Sequence, residues 1–137
     1  MPEFKLNGSE NYDFLRCDDF TQGYIEAMFF CECHPDNPEL DGKGVVDLSP
    51  EAWDAILSDC AAFQRDNAPL LLRACNSIGY GYTEAGRDFW FTRNHHGVGF
   101  WDREIGGYGD ELTESCQKQH KEVNLTLGDN GQLYLEG

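Results

Sequence analysis

Arg93, His95, His96 and Asp102 are the residues of this 137-residue chain whose types and spacing best suit reaction chemistry. Histidine titrates near neutral pH, so it can act as an acid, a base or a metal ligand. All four lie between Arg87 and Arg103, in RDFWFTR-NHHG-VGFWDR. That stretch holds two of the three tryptophans, two of the four histidines and three of the ten basic residues. One reading is therefore a small hydrolase or transferase centred on the His95/His96 turn. Two arguments oppose it. Adjacent histidines in an extended turn point in different directions, and turn conformation alone explains Asn94 and Gly97.

Other chemical motifs fail on spacing. Cys31-Glu32-Cys33-His34 places three zinc donors within four residues. Structural zinc takes pairs spaced by two or more residues and a second pair elsewhere, and helix positions i and i+2 face different ways. The acidic loop Asp36 to Gly42 lacks the alternating oxygen pattern of a calcium loop. Gly79-Tyr80-Gly81 lacks the spacing of a phosphate loop, and no serine or cysteine has a nucleophile-elbow context. No metal and no cofactor are expected.

Charge is the outlying property. Twenty-five acids against ten bases give −15. Residues 1–66 carry fifteen acids and four bases, or −11, while residues 67–137 carry ten and six, or −4. Such an excess repels phosphate, which argues against direct nucleic-acid binding, and attracts basic protein surfaces. The competing explanation is solubility, because acidic surfaces keep small proteins apart. The sequence opens with neither a basic nor an apolar leader, and no apolar run matches a membrane span. Six cysteines in that context are expected to be reduced, and the protein cytoplasmic.

The elements that would position these residues suggest an α+β fold in one domain, residues 1–137, after an irregular lead-in over 1–17. Asp18 or Asp19 caps a helix over Thr21–Cys33 in which Gly23 is a weak point. Ser49 and Pro50 start the clearest helix, Pro50–Asp66, whose Trp53, Ile56, Leu57, Cys60 and Phe63 share one face. Leu70–Ser77 and Glu111–Lys121 suit two further helices. Period-two alternation predicts a hairpin of Asp88–Arg93 with Val98–Arg103, pairing Trp90 with Trp101 and Asp88 with Arg103. Trp90 and Trp101 would then be either core or an exposed aromatic platform. A second hairpin joins Val123–Leu127 to Gln132–Glu136 through Asp129-Asn130-Gly131. The expected layout is N-terminal helices, then hairpin, helix and hairpin forming an antiparallel sheet.

The block from Ala85 to Arg103, AGRDFWFTRNHHGVGFWDR, resembles a segment of small proteins from tailed bacteriophages and prophages. In them helices like Phe20–Phe30 and Leu48–Phe63 precede the block, and a hairpin like Leu125–Leu135 follows. This chain departs at the turn, where those proteins tend to read Asn-Gly-His-Gly and this one has His95. The resemblance implies a phage origin and brings no activity with it. Together with the charge it leads to one expectation: a cytoplasmic acidic protein that binds a basic surface of a host protein. As a nucleic-acid mimic it would inhibit a nucleic-acid-processing or defence factor. The partner-binding residues would be Glu26, Glu32, Asp36, Glu39, Asp41, Glu51, Asp54 and Asp59.

Overall fold

Helices carry most of the architecture, and one antiparallel pair of strands closes it. The computed structural model describes residues 11–77, 79–103 and 107–137. The elements are α1 (Tyr12–Leu15), α2 (Asp19–Glu32), α3 (Pro50–Asp66), α4 (Ala68–Ala74), α5 (Tyr82–Arg93), α6 (Tyr108–Gln119), β1 (Asn124–Leu127) and β2 (Leu133–Glu136). Single 3-10 turns at Val45–Asp47 and Phe100–Asp102 link them. The α+β class holds among the described residues, but the layout has one hairpin rather than two. The expected irregular lead-in is corrected over 11–17, where Asn11 caps α1 and Phe14 is buried. The rest of that expectation, residues 1–10, lies outside the described residues.

Local chemistry sets the helix ends. The Asp18 carboxylate accepts the Thr21 N–H at 2.8 Å, and the Ser49 hydroxyl accepts the Ala52 N–H at 3.0 Å. Pro50 occupies the first turn of α3, where its missing donor is harmless.

The largest correction concerns Asp88–Arg93, which is not a strand. It forms the C-terminal half of α5, and Phe100–Asp102 on the return is a 3-10 turn. Alternation in Asp-Phe-Trp-Phe-Thr-Arg carried no information about faces, because every one of these residues is buried. A helix enclosed on all sides shows no polar stripe. The helix signal lay upstream: Glu84 accepts the Gly81 N–H at 2.9 Å, as a glutamate three residues beyond an N-cap does.

The two central helices, α2 and α5, touch backbone to backbone. A Cβ at Gly23 would run into the Thr83 carbonyl, and one at Gly86 into the Phe20 carbonyl. Gly23, a weak point for helix propensity, is what allows this approach. Around the crossing lies an aromatic core. Phe63 stacks on Phe89 at 4.4 Å and on Phe100 at 5.6 Å, and Tyr24 meets the edge of Trp90 at 5.5 Å. Trp90 is therefore core, while Trp101 is 48% exposed, so the expected tryptophan pair does not form.

The terminal hairpin follows its sequence reading. Leu125 pairs with Leu135 and Leu127 with Leu133. Gly131, at φ 81°, takes the left-handed position after the turn. The Leu133 carbonyl accepts the Ser49 N–H at 2.9 Å, which fastens β2 to the entry of α3.

Candidate functional site

The four residues of the enzymatic reading are not assembled into a site. Arg93 is 4% exposed and ties elements together. Its guanidinium donates to Asp59 at 2.8 Å, to the Tyr24 hydroxyl at 3.1 Å and to the Lys121 carbonyl at 2.9 Å. His95 sits just past the end of α5 at φ 55°. Its N–H reaches the Thr92 carbonyl, and that of His96 reaches the Phe91 carbonyl, which is the pattern of a Schellman cap. Residue 95 thus holds the left-handed place that usually goes to glycine. The His95 ring faces Glu122 at 3.4 Å, with both side chains more than half exposed. The His96 ring packs edgewise on Phe91, and Asp102 is exposed, with its charge acting on Arg103 and Asp88.

Burial disfavours the thiolate form of the cysteines. All six are free. Burial pushes the thiols of Cys31 and Cys75 up to about 11 and those of Cys33 and Cys116 up to about 12, far from the thiolate form. Among the described residues no group of three or more His, Cys, Asp or Glu side chains is placed to hold a metal ion. No described helix is long and apolar enough to cross a membrane.

The eight acids of the interaction reading divide into two sets. Glu26 pairs with Arg87 at 3.1 Å, and Asp59 with the buried Arg93. Glu32 accepts the Leu125 N–H, and its half-buried position raises its pKa against that bond. These three belong to the internal framework. The other five, Asp36, Glu39, Asp41, Glu51 and Asp54, are exposed. Among the described residues only Asp36 meets an ion-pairing side chain, the His34 ring at 3.9 Å. All five fall within residues 36–54, where the only base is Lys43, and its ammonium turns to the Gly131 carbonyl.

Of these five, Asp54 lines a groove of about 710 Å³ between α1, the Val45–Asp47 turn and α3. Trp53, Leu57 and Val46 contribute apolar walls, Asp13 and Asp54 contribute carboxylates, and Arg16 contributes one guanidinium. Leu57 is 46% and Val46 is 73% exposed. The apolar stripe read along α3 is therefore wider than its core contact, where Ala52, Ile56, Cys60 and Phe63 are buried. That excess width was the sequence signal for a groove, and Asp13 across from it was missed.

Comparison with known proteins finds no matching family model, no matching curated protein and no matching solved structure.

Proposed function

We propose that this chain is an acidic interaction protein of the phage type that engages a basic surface of a host protein. It does so through the carboxylates of residues 36–54 and the adjoining groove. The observation that carries this reading is the division of the acids. Of the inward-facing acids, Glu26 and Asp59 meet arginines. Asp36, Glu39, Asp41, Glu51 and Asp54 instead form no ion pair with a lysine or arginine among the described residues, and Asp54 lines a groove with exposed apolar side chains. An apolar floor with charged edges gives an interface both its desolvated centre and its orienting rim. A partner built to hold nucleic acid presents the matching positive groove, so inhibition by mimicry is the mode this charge favours.

The test is affinity capture from host lysate with the wild-type chain and with a Glu51→Lys/Asp54→Lys variant. The wild type is expected to retain a protein with a basic surface, released as salt rises from 0.1 to 0.5 M (about a twofold shorter screening length), and the variant to lose it. Equal capture by both, or capture indifferent to salt, overturns the reading.

A further inference from the structure

A second cavity, of about 560 Å³, opens between the C-terminal end of α2, α5 and the return segment 96–103, and is walled mainly by Phe30, Tyr80, Phe91 and Val98. Arg87 and Arg103 supply most of its charge, and Glu84, Cys31 and His96 complete its polar lining. Its volume and largely apolar lining with a few fixed donors are those of a small-molecule site. We propose that it binds a small neutral aromatic molecule carrying a carbonyl or ring-nitrogen acceptor.

Charge bookkeeping selects the ligand class. Each guanidinium is already matched: Arg87 faces Glu26 at 3.1 Å, and Arg103 grips Asp88 at 2.7 and 2.9 Å. Glu84 also lines the cavity, so carboxylates outnumber guanidiniums around it. A chain of net charge −15 adds a repelling field for any anion. A cation fares no better, since Glu84 is occupied by the Gly81 N–H and the arginines stand beside it. What remains on offer is hydrogen-bond donation without net charge. Asp88 takes Nε and Nη2 of Arg103, leaving the Nη1 hydrogens without a partner among the described residues. Asp88 is completely buried and also accepts the Tyr80 hydroxyl at 2.7 Å, so the donor is held in place from behind. A flat ring would lie against Phe91 and Tyr80, and its acceptor would take the Arg103 donor.

The test is an amide-resolved NMR titration of the full chain with 2-naphthamide, naphthalene-2-carboxylate and naphthalene. The amide is expected to give saturable shifts at Gly79, Gly97 and Val98, with the other two binding about fivefold or more weakly, since one lacks the acceptor and the other carries charge. Val98→Trp, at a position 38% exposed, is expected to fill the cavity and abolish those shifts. Gly97→Phe is a second blocking variant, because a Cβ there meets nothing within 4 Å. Absence of saturable shifts at these amides overturns the proposal. So does tighter binding of the carboxylate, or unchanged binding to both blocked variants.

Discussion

Residues 87–103 and residues 36–54 use charge in opposite ways. In the first, three arginines are drawn into the structure: Arg87 to Glu26, Arg93 to Asp59 and Arg103 to Asp88. Two of those acids come from the N-terminal half, so the pairs cross the fold and hold α2, α3 and α5 in register. In the second, carboxylates face solvent and Lys43 alone stands among them. Each internal pair removes one charge of either sign. The net −15 therefore falls on fewer remaining groups, and the surface is more one-sided than the composition suggests. Arg93, which looks catalytic in the sequence, is framework, while the acids at 36, 39, 41, 51 and 54 face solvent.

Breaking the internal side of this contrast should have the largest effect. Arg103→Ala leaves Asp88, wholly buried, with only the Tyr80 hydroxyl. Removing one partner of a buried pair costs about 3–5 kcal/mol, reduced here to about 2–4 because Arg103 is 36% exposed. Urea unfolding measures it, and a loss below about 1 kcal/mol would show that the pair is not a structural tie. Gly86→Ala should cost about 2–3 kcal/mol by forcing α5 away from α2, read by the same method.

A pH series sharpens the contrast at His120. Burial against Phe89 and Phe63 lowers its pKa, Arg93 lowers it further, and Asp59 and Asp66 oppose both. Below the ordinary histidine value of 6.5 the unfolded chain takes up a proton that the folded chain resists. Stability is therefore greatest above that value and falls as pH drops through it. The wild type should lose stability between pH 7.5 and 5.5 relative to His120→Leu, as compared by urea midpoints (about two units spanning the histidine range). A parallel pH dependence in both proteins would refute the assignment.

Smaller effects are expected at the turn and on the acidic face. His95→Gly should stabilise by about 0.5–1 kcal/mol, because glycine adopts the left-handed cap without strain. That gain, visible in thermal unfolding, outweighs the exposed contact with Glu122. Asp54→Asn should change stability by less than about 0.5 kcal/mol, as its carboxylate supports no internal contact.

How much of this was legible in the sequence depended on whether a segment had two unlike faces. Pro50–Asp66 and the terminal hairpin were readable because polar and apolar positions separate cleanly, and Ser49, Pro50 and Gly131 mark their limits. The Asp88–Arg103 pair was also anticipated, although as a cross-strand contact, while the fold makes it between a helix and its return segment. Asp88–Arg93 was misread because total burial erased its periodicity. Gly23 and Gly86 look like helix weaknesses until the partner helix is in place. The division of the acids was invisible for the same reason: Glu26 and Asp59 resemble Glu51 and Asp54 in sequence, and only the fold puts arginines beside the first two.

The central claim is that the carboxylates of residues 36–54 drive association while those facing inward only support the fold. Its most direct measurement is the dissociation constant for the captured basic partner across a salt series, comparing wild type with Glu51→Lys/Asp54→Lys. The account predicts about tenfold or greater weakening in the variant, a steep loss of wild-type affinity with salt, and a flatter slope for the variant. Equal affinities with equal salt slopes would contradict it.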